Sequence, residues 1–317
     1  MWSAPLPARA PQGLSSAASD VYRGQVLVGV DGSDGADAAA RAAAEAAAAR
    51  GATLCVLRVV DWPEAGIAGL PPDLDGRSAT RAAAELQVRW LVARLAQWLP
   101  VDRITGEVVD GDPVHVLRAR SQDLDLLVVG AHGQAWSSGE TLGSIAAGVV
   151  RGASCPVLVH RHEPALGEPH RGVVVGIDGG PGSAQLLDAA AAEARLRATT
   201  LKVLHTWPQL TEDAGTPVKW RLDPATTTTA EQAVVAELVG ALRLRSDVPA
   251  VDAAVVGGRA GKVLVWASHT AELVVVGRPE LSPDHEMRAT TRQVSQRAGC
   301  PVLVVPLATT ADVPVPA

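Results

Sequence analysis

The chain is poor in the residues that build aromatic cores and basic surfaces. Its 317 residues contain no Phe, one Tyr and three Cys, and no Lys precedes Lys202. The net charge is −6, and Lys and Arg form no stripe of the kind that binds nucleic acid, so a nucleic-acid partner is not expected. Val, Leu and Ala must therefore form most of the core, with eight Trp as the bulky exceptions.

Long apolar runs and paired cysteines are also missing. No stretch of about 18 apolar residues occurs, so no membrane span is expected. Residues 1–23 lack the apolar segment of a secretory signal and are rich in Ala, Pro and Ser, which predicts a disordered N-terminal arm. The odd set Cys55, Cys155 and Cys300 contains no CxxC pair. We expect buried, reduced thiols in a cytoplasmic protein, with a redox role as the alternative.

The second half of the sequence repeats the first. The apolar segment that ends at Asp31 recurs 147 residues later and ends at Asp178, and the run ending at Gly130 recurs at the same offset, ending at Gly277. Beyond that point the offset falls to 145, where Cys-Pro-Val-Leu-Val occurs a second time. A period this long indicates duplicated domains rather than a solenoid. The second copy is thus two residues shorter in the loop after its fourth strand.

Each copy alternates short apolar strands with helices. This pattern predicts parallel βαβ crossovers with helices on both faces of a sheet, in a Rossmann-like three-layer fold. The strands are expected at 26–30, 54–60, 104–109, 124–129 and 157–160, then at 173–177, 201–205, 251–256, 273–276 and 302–305. The helix expected near 228–244 would place Val234, Leu238 and Leu242 on one face.

The predicted organisation is two α/β domains, each with a five-stranded, mainly parallel sheet. We place an arm at 1–23, the domains at 24–160 and 172–306, a linker at 161–171 and a tail at 307–317. The last strands, near Val157 and Val302, are short apolar edges that need a partner. The two copies can provide it for each other in an intrachain pseudo-dimer, and a homodimer stays open.

A glycine-rich loop follows the strand that ends at Gly130. It contains Gly130, Gly133 and Gly143, and Ser144 comes directly after the last of these, at the start of a predicted helix. Glycine lets the main chain approach a phosphate closely, and a helix N-terminus supplies N–H groups that lack partners. Ligands of open α/β sheets bind at the carboxyl ends of strands, where this loop lies. The loop is therefore a candidate phosphate site.

These motifs resemble the universal stress protein family in a tandem two-domain form, over about residues 24–160 and 171–306. The ATP-binding subgroup of that family has the pattern Gly-x2-Gly-x9-Gly-(Ser/Thr) after its fourth strand, which residues 130–144 match. The resemblance implies an adenine nucleotide alpha hydrolase-like fold and ATP as the ligand, with which Mg²⁺ can enter. It also implies a nucleotide-dependent stress sensor or regulator.

The resemblance assigns roles to further residues. Val30 and Asp31 would contact the adenosine part of the nucleotide, and Val59 would pack on the adenine or bond to it. Gly130, Gly133, Gly143 and Ser144 would surround the triphosphate.

The second copy keeps the aspartate and the first glycine of this pattern but loses the rest. The replacements are Thr206 for Val59, Glu280 for Gly133, Arg288 for Gly143 and Ala289 for Ser144. The acidic residues of the loop, Glu280, Asp284 and Glu286, would repel phosphates, although Arg278, Arg288 and Arg292 partly offset them. We therefore expect one ATP per chain, held by the first copy, while the second acts as a structural partner or binds a different ligand.

Simpler roles stay open for individual residues. Asp31 can cap the turn into the first helix, and Ser144 can be a helix N-cap. Gly130 and Gly133 can serve a tight turn alone. His132 is expected to be a surface histidine without a role.

The chain is not expected to be an enzyme, although slow ATP hydrolysis or autophosphorylation is left open. It has no GxxxxGK[ST] loop, and no residue can be assigned as a catalytic base. One alternative is a nucleotide-independent interaction or scaffold protein with a vestigial phosphate loop. Another is an ATP pyrophosphatase or adenylyl transferase of related fold, which needs an SGGxDS-type or HxGH-type loop where this chain has Asp31-Gly-Ser-Asp-Gly35.

Overall fold

The computed structural model describes residues 24–63, 75–133, 142–161, 171–207, 224–245, 250–279 and 289–307. The predicted N-terminal arm, linker residues 162–170 and tail residues 308–317 lie outside the described residues. So do Glu280 and Arg288, two of the replacements in the second copy.

The secondary structure follows the alternation expected from the sequence. The first repeat contains β1 (Gln25–Val30), α1 (Asp34–Arg50), β2 (Thr53–Val60), α2 (Gly76–Leu95), β3 (Ile104–Asp110), α3 (Pro113–Arg120), β4 (Leu126–Gly130), α4 (Ser144–Gly152) and β5 (Val157–His160). The second contains β6 (Val173–Ile177), α5 (Ser183–Leu196), β7 (Leu201–Trp207), α6 (Pro224–Arg243), β8 (Val251–Gly257), α7 (Ala260–Ala267), β9 (Leu273–Pro279), α8 (Ala289–Arg297) and β10 (Val302–Leu307). Leu307, expected in the tail, belongs to β10.

The ten strands form one sheet in the order β3-β2-β1-β4-β5-β10-β9-β6-β7-β8. Pairing is parallel within each repeat and antiparallel where β5 meets β10, with Leu158 opposite Leu303. The fold class and the intrachain pseudo-dimer are thereby confirmed. Because β5 and β10 already pair with each other, neither edge is available to a second chain.

Helix α1 shows how an alanine-rich sequence forms this fold. Ser33 caps its N-terminus, and Gly51 ends it in the left-handed conformation at φ 64°. The alanines that face the sheet, among them Ala39, Ala43 and Ala47, are fully buried. Their small side chains let the helix lie close to β1 and β4, so the Ala-rich sequence serves packing.

The seam between the repeats is held by more than one strand pair. The buried core on each face of the sheet includes residues of both repeats. Arg50 of α1 forms an ion pair with Glu193 of α5, whose side chain is 7% exposed. Buried Arg278 donates to the Ala153 carbonyl at the end of α4. The two repeats therefore share one core.

Helix α6 packs Leu238 and Leu242 against the core as expected, but not Val234. Val235, Val239 and Leu242 are buried, whereas Val234 is 39% exposed. Both sets fit a helical period, so the sequence pattern could not fix the rotation of the helix. Packing against β7 and β8 turns Val235 rather than Val234 toward the sheet.

All three cysteines are buried and none is joined in a disulfide, as expected. Burial is the main cause that raises the pKa of Cys55 to about 11 and that of Cys155 to about 12. Within the described part of the chain, no helix is long and apolar enough to cross a membrane.

Candidate functional site

A cleft of about 650 Å³ opens at the carboxyl ends of β1, β2 and β4. It lies where the strand order reverses, between β1 and β4, which is where open α/β sheets bind ligands. Its volume falls within the range of about 300–1,000 Å³ typical of small-molecule sites. All the residues that the sequence singled out line it, namely Val30, Asp31, Val59, Gly130, Gly133, Gly143 and Ser144.

Asp31 sits at the start of α1 and also lines the cleft. Its Oδ1 accepts hydrogen bonds from the Ser33 amide at 3.0 Å and the Ser33 hydroxyl at 2.6 Å. The Ser33 hydroxyl oxygen in turn accepts from the Ala36 amide at 3.1 Å, which caps the helix. The second carboxylate oxygen lies where a Cβ on Gly133 would be. Asp31 thus stabilises the turn into α1, as considered above. Its bonds to Ser33 also fix the orientation of its carboxylate in the cleft.

The loop glycines allow main-chain segments to meet. A Cβ on Gly130 would lie 3.2 Å from the Gly35 carbonyl oxygen and 3.3 Å from that of His132. A Cβ on Gly143 would lie 3.3 Å from the Ala131 carbonyl oxygen, to which the Gly143 amide donates at 2.8 Å. None of the three loop glycines has a positive φ. They serve close approach rather than a left-handed turn, and they let the His132 carbonyl lie against the start of α1.

The N-terminus of α4 opens onto the cleft. Gly143 is its N-cap, and no side chain among the described residues caps it. Ser144 is therefore the first residue of the helix and not its N-cap, and it is exposed. Ser144, Ile145 and Ala146 all line the cleft. The first-turn N–H groups and the positive end of the helix dipole are available to an anion there.

Arg58 supplies a positive charge that the sequence reasoning missed. It lines the cleft beside Val59, and its Nη1 donates to the Val30 carbonyl at 3.4 Å. Burial lowers the pKa of its guanidinium and the nearby Asp31 carboxylate raises it, but arginine stays charged at neutral pH in either case. Its Nε is buried without a hydrogen-bond partner among the described residues. The sequence did contain a signal for this role, because Arg58 is a charged residue near the carboxyl end of an otherwise apolar strand.

His132 lies in the wall of the cleft instead of on the open surface. It is half-buried, and its main-chain carbonyl packs against Gly35. The expectation of a plain surface histidine is corrected because the loop folds back over α1.

The second repeat has a smaller cleft, of about 290 Å³, at the ends of β6, β7 and β9. Asp178, Thr206 and Gly277 line it at the positions of Asp31, Val59 and Gly130. These three residues thus occupy the same places in the fold as their counterparts in the first repeat, but the cleft that they line has less than half the volume.

His205 stands where the first repeat has Arg58. It is buried, with Nδ1 3.0 Å from the Ile177 carbonyl oxygen and Nε2 2.7 Å from a carboxylate oxygen of Glu231. Ile177 is the counterpart of Val30, so both repeats place a nitrogen against the same carbonyl.

No candidate metal centre occurs in the part of the chain that the structure describes: no three His, Cys, Asp or Glu side chains are grouped to hold an ion.

The sequence model of the universal stress protein family matches residues 23–161 and 170–306. The chain belongs to this family and contains two copies of its domain.

Two relatives and one solved structure illustrate the similarity. Universal stress protein Rv2005c of Mycobacterium tuberculosis is 33% identical over 270 residues, which cover 80% of this chain and 86% of that protein. Universal stress protein Rv1996 of the same organism is 33% identical over 215 residues, covering 64% of this chain and 65% of that protein, slightly less than two thirds of its length. The crystal structure of a universal stress protein from Archaeoglobus fulgidus has the same fold, with a TM-score of 0.63, 19% identity and coverage of 90% and 96%.

Proposed function

We propose that the first repeat binds ATP, that the second does not, and that the protein is a nucleotide-dependent stress sensor or regulator. The observation that carries the proposal is the meeting of β1, β2, the loop after β4 and the N-terminus of α4 around one cleft. Each of these elements contributes residues that match the ATP-binding pattern of the family.

The cleft suits the parts of a nucleotide separately. Leu57, Val59 and Leu117 line an apolar region that an adenine ring can fill. Asp31 offers a carboxylate to ribose hydroxyls. The loop main chain, the start of α4 and the Arg58 guanidinium favour a polyanion. Each chemical demand of ATP therefore has a matching group on the cleft wall.

Mg²⁺ can enter with the triphosphate, because this ion commonly keeps its waters and binds phosphates with one or two carboxylates. Asp31 and Asp61 are the described carboxylates that line the cleft. A nearly complete protein cage is not required.

We also propose that the protein holds ATP without turning it over. Phosphoryl transfer needs a positioned base and cations arranged around the γ-phosphate. The Asp31 carboxylate is already bonded to Ser33, and the described cleft-lining residues include no lysine. A single-turnover assay with radiolabelled ATP tests this, and ADP formation faster than ATP release would contradict it.

The site and its stoichiometry can be tested with two matched variants. Val59→Trp would fill the first cleft and Thr206→Trp the second, at equivalent strand ends. We expect calorimetry to give one ATP per wild-type chain, no ATP for Val59→Trp and an unchanged affinity for Thr206→Trp. Two ATP per chain would contradict the restriction to the first repeat. No ATP at all would favour the interaction or scaffold alternative.

A further inference from the structure

We propose that the cleft of the second repeat is a separate binding site, which accepts an uncharged nucleoside and rejects its phosphorylated forms. The proposal stands on the geometry of the second repeat and does not require ATP in the first. Two observations support it. The Leu307 side chain takes the place of a main-chain segment of the first repeat, and the apolar lining and the aspartate of the cleft are kept.

In the first repeat, the main chain after Gly130 covers the start of α1. The His132 carbonyl oxygen lies 3.2 Å from the Cβ position of Gly35 and 3.3 Å from that of Gly130. Two glycines thus make room for a peptide segment, and this segment forms one wall of the cleft.

In the second repeat, a hydrocarbon side chain takes that room. Gly182 and Gly277 are the counterparts of the same two glycines, and their Cβ positions lie 2.7 Å and 2.5 Å from Cδ1 of Leu307. Strand β9 does not turn after Gly277 but continues to Pro279, which pairs with Leu307 of β10. The strand extension brings Leu307 into the place that the His132 carbonyl occupies in the first repeat.

This exchange decides which ligands the second cleft can bind. A peptide segment offers N–H donors to a phosphate, whereas a leucine side chain offers none. Placing an anion against hydrocarbon costs several kcal/mol unless other donors compensate. Beside Leu307 and Pro279 the cleft therefore lacks these donors, and the first turn of α8, where Thr290 and Thr291 line the cleft, is the remaining source of N–H groups for an anion there among the described residues.

The remainder of the cleft keeps the features that suit a base and a sugar. Ile177, Leu204 and Leu264 give it an apolar lining. At its mouth, Asp178 Oδ1 accepts from the Gly180 amide at 2.9 Å, which orients the carboxylate as Asp31 is oriented in the first repeat. A carboxylate held this way can accept hydrogen bonds from the two hydroxyls of a ribose.

Thr206 adds a polar group where the first repeat has the methyl groups of Val59. Its hydroxyl can both donate to and accept from the edge of a base. With a volume of about 290 Å³, the cleft lies near the lower limit for small-molecule sites, about 300 Å³. A compact ligand with a flat heterocycle, a diol and no charge fits these conditions, which describes a nucleoside.

The experiment is calorimetry on the full chain in saturating ATP, which fills the first cleft. Adenosine, guanosine, cytidine and uridine are titrated in turn, each followed by its 5′-monophosphate. We expect at least one nucleoside to bind at one per chain and its monophosphate to bind at least about tenfold more weakly, or about 1.4 kcal/mol. A monophosphate that binds as tightly as its nucleoside overturns the proposal, and so does the absence of nucleoside binding with and without ATP.

Variants assign the site. Thr206→Trp should abolish nucleoside binding, and Val59→Trp should leave it unchanged, while the reverse result would overturn the proposal. Leu307→Ala should reduce the disadvantage of the monophosphate to less than about threefold. If Thr206→Trp does not fold, NMR of methyl-labelled wild-type protein can show instead whether the nucleoside binds in the second cleft. The Leu307 and Thr206 methyl signals should then shift with nucleoside, and unshifted signals would count against the site. ATP binding is measured separately, so its failure would not affect this result.

Discussion

The two clefts share a scaffold and differ in how far their last strands pair. In the first repeat, pairing of β4 with β5 stops at Gly130, opposite His160. In the second, β9 and β10 continue for two more pairs beyond Gly277, as far as Pro279 and Leu307. A chain cannot both continue as a strand and fold back over the neighbouring helix. Two additional residue pairs are therefore enough to put the Leu307 side chain where the first repeat has the peptide of His132.

The same comparison applies to the polar side chains near the ends of β2 and β7. Arg58 and His205 each contact the carbonyl at the end of the first strand of their repeat. The charge of Arg58 lies on the cleft, whereas His205 is bonded to Glu231 and fully buried. The first repeat thus places a cation on the wall of its cleft, and the second uses the equivalent side chain to hold α6 to the sheet.

The largest expected effect concerns the seam that joins the two repeats. Glu193→Ala should lower the free energy of unfolding by about 3 kcal/mol, because it leaves Arg50 partly buried without its partner. Urea unfolding measures the loss. Glu45→Ala, on an exposed i,i+4 pair in α1, is the matched control and should change stability by less than about 0.5 kcal/mol. Equal effects of the two substitutions would mean that the buried ion pair adds no more stability to the seam than an exposed pair adds to a helix.

The next effect concerns the phosphate loop of the first repeat. Gly133→Ala should weaken ATP binding by about a hundredfold, or about 2.7 kcal/mol, because the new methyl group displaces the Asp31 carboxylate. Gly240→Ala makes the same change in α6, where nothing lies within 4 Å, and should leave binding unaltered. Calorimetry at constant ionic strength compares the two. Unaltered ATP affinity in Gly133→Ala would mean that Asp31 does not hold the nucleotide.

Arg58 and His205, which occupy equivalent positions, should give different kinds of loss when they are replaced. His205→Phe should cost about 2 kcal/mol of stability, since the Ile177 carbonyl and Glu231 lose a shared partner, and it should not change ATP affinity. Arg58→Met should weaken ATP binding by about tenfold, or about 1.4 kcal/mol, with a smaller dependence on salt. Chemical unfolding and calorimetry on both variants test the contrast. A loss of ATP affinity in His205→Phe would remove the distinction.

Much of this arrangement was predictable from the sequence. The repeat predicted two similar halves, and the alternation of strands and helices predicted parallel sheets. The carboxyl ends of parallel strands meet at one edge, so Asp31, Val59 and Gly130 had to come near each other once their strands were recognised.

The features that separate the two clefts depend on contacts between distant segments. The bond from Arg58 to Val30 and the contact of Leu307 with Gly182 leave no periodic signal in the sequence. Glu231 lies on a helix whose rotation is fixed only by packing, as the exposure of Val234 shows. The change in the repeat offset from 147 to 145 showed which loop differs between the repeats. Only the pairing of β9 with β10 showed that Leu307 lies at that position in the second repeat.

The smallest expected effect uses the cysteines to compare the repeats directly. Cys155 follows α4, and Cys300 follows α8 at the equivalent position. Burial raises the pKa of Cys155 to about 12 from an ordinary value of 9.0, so the native thiol is almost entirely protonated at pH 8. An unfolded thiol ionises near 9.0, so this group favours unfolding as the pH rises above that value. Labelling at pH 8 therefore reports opening of the structure.

ATP bound at the start of α4 should oppose local opening of that helix and leave α8 unaffected. Site-resolved mass spectrometry should show labelling of Cys155 slowed by about threefold more than that of Cys300, because a ligand protects only the openings that release it. Global unfolding exposes both thiols together, so the difference should vanish as urea is added. Equal protection of both thiols without urea would mean that the shared sheet transmits the effect of ATP, and that the repeats respond to the nucleotide as one unit.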